Sequence, residues 1–341
     1  MSRIEGGSSG LRSQTARPVP SGVEYHRVLA GDRRRIGRGI LAIVLLLGGM
    51  LVFVVALAGV ASLVGGARGS GRPPGYSSYT PLQHGTTMAS IALLIPWSMV
   101  IQRRLYGVRG ASLHSVVSHF RWDLFGRAVV LIGAAWVAVT VVGFYLQPLR
   151  ATIWSAPDVM WLLATTFLLT PLQAAGEEYG FRGLVFRVAA GWGRGPRTAL
   201  VLGVLVSSVI FAVIHLSTDP WLNLWYLVFG ISTAVVTWRT GGIEIAVVLH
   251  AGYNTIAFLV AVAVRNDLGQ IDRSAGAANA SVLVSCVVVA AVAAVVWYRT
   301  RHSGPARTPT TPGDQPAAPE GDAASRETGT DVRRPEPRLI P

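Results

Sequence analysis

Eight stretches of this chain are each apolar over something near the length of a bilayer crossing, and that repetition restricts the fold more than any single motif. A spanning helix needs about 20 mostly apolar residues. The candidates lie near residues 39–64, 87–101, 124–146, 158–175, 198–216, 221–238, 243–264 and 281–298. Of the 341 residues 51% are hydrophobic and only 14% are charged, an excess that burial in an ordinary soluble core does not call for. The pattern predicts an all-α fold, a polytopic membrane helical bundle of about eight transmembrane helices, multi-pass in the cell membrane. The first segment reads as an anchor that stays, because its apolar core is longer than that of a cleavable signal and a long polar segment precedes it.

Residues 1–38 are rich in Gly, Ser, Pro and Arg, and residues 301–341 in Pro, Ala, Gly and charge, so both ends read as disordered tails. Between them the chain divides into N-terminal transmembrane helices at 39–150, a core at 151–264 and a last transmembrane helix within 265–300. Arginines orient the bundle. Arg33, Arg34, Arg35 and Arg38 precede the first segment, Arg103, Arg104, Arg109 and Arg121 follow the second, and Arg187, Arg194 and Arg197 follow the fourth, which predicts cytoplasmic termini. The net charge of +13 comes largely from tails and loops of this kind, so it argues for a lipid bilayer partner and against nucleic acid. Cys286 is the only cysteine. It can form neither an internal disulfide nor a metal knot alone, and reads as packing.

Three polar groups interrupt the apolar segments. In "GEEYGFR" Glu178 and Arg182 stand four apart, acid first, the favourable order for a helical pair. Glu177 is rotated by about 100° from its neighbour and is free to face something else. One carboxylate is then structural and the other available, and an ionisable group at bilayer depth costs about 2.5–3.5 kcal/mol even on insertion scales. In "FAVIHLS" Phe211 and His215 are four apart, and in "HAGYN" His250 and Asn254 repeat the spacing. His215 and His250 are the histidines that lie within apolar segments after the Glu pair. A carboxylate that takes a proton from water, with imidazole and amide groups to hold an oxyanion, is what amide hydrolysis by water requires. Two His and a Glu are equally a zinc ligand set, so the residues alone leave a metal-bound hydroxide open beside a glutamate-activated water.

"EEYGFR", "FAVIH" and "HAGYN" match, in order, the EExxxR, FxxxH and HxxxN pattern of the CAAX-protease and bacteriocin-processing family of intramembrane endopeptidases, also called the Abi family. The resemblance covers residues 158–264, less than a third of the chain. It implies that Glu177 is the general base, that Glu178 and Arg182 form its supporting ion pair, and that His215, His250 and Asn254 orient water and stabilise the oxyanion, with Phe211 packing beside them. Members are often labelled metalloendopeptidases, yet the resemblance favours a glutamate-activated water without a cofactor. It implies a peptide or membrane-protein substrate. Glu244 departs from the family pattern, and after Gly241 and Gly242 it reads as a helix cap, where an acid suits the dipole.

Two readings from other classes compete with a protease. A non-catalytic membrane adaptor or immunity protein of the same fold would be expected to have lost part of the motif set. A proton-coupled transporter also uses Glu and His chains, but no matched halves are visible in the sequence. HExxH and Gly-x-Gly-Asp sites are absent, and "GSSG" lies in the N-terminal tail. Straight helices would set His250 about 10 Å in from the cytoplasmic end of its span and His215 near the opposite end of its own. The two can meet only if these helices are short or tilted, or if the turn after His215 dips into the membrane. Thr170–Pro171 predicts a kink before the Glu pair. Trimming residues 1–30 and 305–341 is expected to leave activity intact.

Overall fold

The computed structural model describes residues 17–31, 34–65, 76–145, 151–269 and 272–310. Its helices are α1 (Ile36–Gly65), α2 (Pro81–Ala92), α3 (Leu94–Tyr106), α4 (Trp122–Tyr145), α5 (Ala156–Glu178), α6 (Phe186–Ala190), α7 (Pro196–Val213), α8 (Pro220–Thr240), α9 (Glu244–Ala263) and α10 (Val282–Arg299). Among the described residues extended pairing is confined to isolated bridges. Eight helical stretches are long and apolar enough to cross a membrane, so the chain is an all-α, multi-pass membrane protein. The second predicted span proves to be two helices, α2 and α3, that meet at Leu93.

Local sequence sets the helix ends. Thr80 caps α2 by accepting from the Gln83 N–H, and the Gln83 side chain returns to the Thr80 backbone, a reciprocal pair that satisfies two donors. Asp219 caps α8 through Oδ1, which accepts from Trp221 at 2.9 Å and Leu222 at 3.0 Å. Its Oδ2 accepts from Gly276 at 2.9 Å and Ala278 at 3.3 Å. One carboxylate thus ties the turn after α7 to the segment before α10. Gly241 ends α8 at φ +69°, a conformation that costs glycine little.

The centre of the bundle is α5, which packs on α2 along one side and on α9 along another. It runs through Pro171 without ending. At Tyr179 it widens into a π-helical turn, Tyr179–Val185, before α6, so that Ala156–Ala190 is one continuous stretch of 35 residues. Such turns recur at functional sites. Glycine lets this stretch lie close to its neighbours. A Cβ on Gly176 would meet the Ile91 carbonyl oxygen of α2 at 2.2 Å, and one on Gly180 would meet Leu46 of α1 at 3.3 Å. Toward the outside, Leu51 and Val52 of α1, Val130 and Leu131 of α4, and Phe167 and Leu168 of α5 are exposed, which suits side chains that meet lipid rather than water.

The two ends of the chain depart from the disordered reading. Tyr25, His26 and Val28 are buried. Residues 20–24 pair with Arg307 and Thr308: the Gly22 N–H donates to the Thr308 carbonyl at 3.1 Å, and the Thr308 N–H to Val23 at 2.8 Å. Tyr25 Oη donates to the Leu113 carbonyl at 2.6 Å, and the Arg187 guanidinium lies 3.8 Å from the centre of the Tyr25 ring. Composition suggested tails because the stretch carries few apolar residues. It folds because those few cover a buried arginine that reaches out of α6. Residues 1–16 and 311–341 of the predicted tails lie outside the described residues.

Candidate active site

Glu177 and Glu178 close the last turn of α5, both buried, and the π-helical turn that follows carries Arg182 back beside them. Arg182 Nε lies 3.2 Å from Glu178 Oε2 and donates to Thr233 Oγ1 of α8 at 2.8 Å. Its guanidinium sits 4.1 Å from the centre of the Phe211 ring and 5.5 Å from that of Phe229. Cation–π contact on this scale contributes about 2 kcal/mol when desolvated, and here it accompanies two terminal nitrogens that make no hydrogen bond among the described residues. Phe211 therefore packs, as its motif position suggested, and also shields the charge.

His250 stands seven residues into α9, with Nδ1 2.7 Å from Glu178 Oε1. A carboxylate oxygen can only accept, so Nδ1 carries the proton and the neutral ring presents Nε2 as an acceptor. Nε2 faces Glu177 Oε2 at 3.8 Å. That oxygen is buried and makes no hydrogen bond among the described residues. The other oxygen of Glu177, Oε1, accepts from Gln173 Nε2 at 2.5 Å, and Gln173 Oε1 accepts from Asn254 Nδ2 at 3.2 Å. Glu178 thus holds both Arg182 and His250, while Glu177 has one oxygen anchored and one turned toward the imidazole.

His215 lies just beyond α7, in the turn that leads to Asp219. Its Nδ1 donates to the Phe211 carbonyl at 2.7 Å, which leaves Nε2 as an acceptor. The ring stacks on Tyr226 at 3.8 Å and meets the Phe211 ring at 4.8 Å. Phe211 in turn meets the His250 ring at 5.9 Å. Helix α7 has 18 residues, about 27 Å at the helical rise, and stops at Val213, so His215 lies in the turn beyond it. That turn is held by Ser217 Oγ, which donates to the Arg273 carbonyl at 3.2 Å, and by Asn223 Nδ2, which donates to the Ser217 carbonyl at 3.0 Å.

The structure gathers Glu178, Arg182 and His250 into one bonded group and Glu177 and Asn254, through Gln173, into another, the two facing each other across 3.8 Å, and sets His215 beside them, across Phe211. It adds two residues that motif spacing did not pick out, Gln173 and Thr233. Gln173 had a signal, since it is a lone amide in an apolar stretch one helical turn before Glu177. Thr233 had none. Glu244 proves more than a cap: Arg121 Nε donates to Oε1 at 2.8 Å and its NH2 to Oε2 at 2.7 Å. This two-pronged pair fixes the start of α9, six residues before His250.

Among the described residues no group of three or more His, Cys, Asp or Glu side chains is placed to hold a metal ion. His250 and His215 each engage Nδ1, with Glu178 and with the Phe211 carbonyl, and each presents Nε2, the tautomer that a metal-ligating imidazole also adopts.

Residues 156–256 match the family model described as type II CAAX prenyl endopeptidase Rce1-like. That segment resembles this family. It spans α5 to α9 through Ile256 and so contains every residue of the cluster. Residues 261–341 match a family of unknown function, DUF6479. The uncharacterized protein YyaK of Bacillus subtilis (strain 168) is 28% identical over 145 residues, 40% of this chain and 47% of the relative. An uncharacterized 24.3 kDa protein of Escherichia coli is 33% identical over 145 residues, 38% of this chain and 62% of the relative. The chain spans about half to three-fifths of the length of these curated relatives. No solved structure matches it.

Proposed function

We propose that the chain is an intramembrane endopeptidase in which Glu177 activates a water molecule to attack a peptide bond of a membrane-associated protein or peptide. The observation that carries this reading is the 3.8 Å separation of Glu177 Oε2 and His250 Nε2. Both atoms are acceptors when the imidazole is neutral, so they cannot bond to each other, but one water can donate to both. A water held in that way has its lone pairs turned toward the space where a carbonyl carbon would approach. Glu177 takes the proton as the oxygen attacks, and the same proton can pass to the leaving amine.

Each remaining group serves that step. Glu178 holds His250 with Nε2 toward the water and is itself held by Arg182. His215 is neutral with its Nδ1 engaged. The developing oxyanion would be met by the remaining N–H of Asn254, and the acceptor Nε2 of His215 would help to orient the attacking water. No cofactor is needed for this sequence. The Rce1-like match in residues 156–256 supports a substrate class of prenylated CAAX-type peptides or a membrane peptide of similar chemistry, entered from the bilayer. The arginine distribution supports a site open toward the cytoplasm with both termini on that side.

The test uses purified protein in detergent with an internally quenched peptide that ends in a prenylated CAAX sequence, together with proteomics of membrane fractions from cells carrying the wild type or Glu177→Ala. The expected result is cleavage by the wild type that is insensitive to chelators and falls at least about 100-fold in Glu177→Gln. Undiminished cleavage by folded Glu177→Gln rejects the glutamate base. Loss with chelator and recovery with zinc moves the chemistry to a metal-bound hydroxide. A proteome unchanged by Glu177→Ala, with the peptide also uncut, leaves the adaptor reading.

A further inference from the structure

We propose that Gln173 is a positioning residue for the Glu177 base, and that Asn254 acts on the base through it. The inference rests on the reading of Glu177 as base. Its observation is a chain of side-chain bonds between two helices: Asn254 Nδ2 of α9 donates to Gln173 Oε1 of α5 at 3.2 Å, and Gln173 Nε2 donates to Glu177 Oε1 at 2.5 Å.

The direction of the chain follows from its end. An ionised carboxylate accepts and cannot donate, so the Gln173 amide must turn its nitrogen toward Glu177. Its oxygen is then presented to α9, and only a donor can satisfy it there. Asn254 supplies the donor, which fixes its own amide in turn. An asparagine in the third motif is therefore read, from the other end, as the residue that sets which way the Gln173 amide points. With the amide reversed, an amide oxygen would face a carboxylate oxygen at 2.5 Å, a repulsive contact in a buried setting.

This arrangement also decides which oxygen of Glu177 does the work. Oε1 is anchored by a short charge-assisted bond, and that bond turns Oε2 toward His250 Nε2. Gln173 is 7% exposed and Glu177 8% exposed, so little water competes for the anchored oxygen. Gln173 and Glu177 are four apart on α5, and His250 and Asn254 are four apart on α9. The two helices thus meet through two rungs one turn apart, an amide rung at Gln173 and Asn254 and an acid–imidazole rung at Glu177 and His250. The first holds the second in register.

Two variants test this. Gln173→Leu removes both bonds at similar volume. Gln173→Glu keeps the shape and the acceptor for Asn254 but sets a second carboxylate against Glu177. Infrared pH titration of the purified protein reads carboxyl protonation without any substrate, and the band lost in Glu177→Gln identifies the residue. The expected result is that this band titrates about one pH unit higher in Gln173→Leu, which has lost a donor to the ionised form, and higher still in Gln173→Glu, where two carboxylates crowd one place. On the quenched prenylated peptide, kcat of Gln173→Leu should fall about 10- to 100-fold, the scale of one charge-assisted hydrogen bond, with KM little changed. Asn254→Ala should cost less in the Gln173→Leu background than in the wild type, by the share that acts through this contact, while the loss of its oxyanion N–H persists in both. A band midpoint that stays at the wild-type value in both variants overturns the proposal whatever the activity. Wild-type cleavage by Glu177→Gln would overturn the base and with it Gln173 as its positioning residue, even where the band shifts in the two Gln173 variants.

Discussion

Glu178 Oε1 lies 2.7 Å from His250 Nδ1 while Oε2 of the same side chain lies 3.2 Å from Arg182 Nε. One buried carboxylate therefore serves two partners on two elements, and its neighbour Glu177 shares in neither bond. The adjacent glutamates should respond differently to the same change. Glu178→Gln leaves a buried guanidinium without its counter-charge, a loss of about 3–5 kcal/mol for a buried pair, and thermal unfolding in detergent should show it directly. Glu177→Gln keeps the shape and can still accept from Gln173, so it should melt close to the wild type while cleavage falls at least about 100-fold. Equal melting of the two variants would mean that Arg182 is satisfied without Glu178.

Gly176, the residue before the pair, is where α5 touches the backbone of α2. A Cβ there would stand 2.2 Å from the Ile91 carbonyl oxygen and 3.1 Å from Ala92 Cα, and backbone cannot step aside as a side-chain tip can. Gly176→Ala should cost about 1–3 kcal/mol, the scale of overpacking in a well-filled core, and should reduce cleavage as well, since the helix that moves carries Glu177. Gly126→Ala is the control. An added Cβ in that part of α4 meets nothing within 4 Å, so stability should hold or rise slightly.

The motif triple made much of the cluster legible, because a four-residue spacing on a helix states which side chains share a face. That spacing sets Glu178 against Arg182 and puts His250 on one face with Asn254. It could not show that the helix widens at Tyr179, since a π-helical turn has no spacing rule that an α-helical pattern would reveal. Nor could it show that His250 is bonded to Glu178, which depends on how α9 lies against α5. The buried N-terminal segment escaped for a different reason. Tyr25 and His26 sit among Gly, Pro and Arg, and composition averages over the few residues that pack.

Arg121 and Glu244 tie the entry of α4 to the first residue of α9 by two parallel bonds of 2.8 Å and 2.7 Å, with a third from the Arg121 backbone N–H to Oε1 at 3.1 Å. Glu244 is fully buried and Arg121 about one-fifth exposed. A simple cap would lose little on replacement of the arginine. The two-pronged geometry predicts instead that Arg121→Lys costs about 2 kcal/mol, since an ammonium cannot reproduce the planar fork. Unfolding in detergent measures it, and a lysine variant as stable as the wild type would return Glu244 to the role of cap.

His26 gives the paired chain ends a dependence on pH. Its ring is fully buried and stacks on Phe186 of α6 at 5.8 Å. Burial pushes its pKa down to about 4, against the opposing pull of Glu24, whose carboxylate oxygen lies 3.6 Å from Nδ1. The unfolded histidine titrates near 6.5, so between that value and about 4 the unfolded state binds the extra proton and the folded state does not. Stability from this residue is therefore complete above pH 6.5 and declines as pH falls toward 4. The first element to loosen should be the segment that holds Tyr25 over Arg187, and with it the end of α6. His26→Phe keeps the stack and cannot be protonated, so its melting temperature in detergent should fall less than that of the wild type between pH 7 and pH 5. Deletions divide on the same ground. Removal of residues 1–16 and 311–341 leaves each of these contacts in place and should preserve activity, whereas removal of residues 1–30 and 305–341 strips Tyr25 and Thr308 together and uncovers a buried guanidinium. Full activity and unchanged melting in the longer deletion would show that α6 holds Arg187 without this cover.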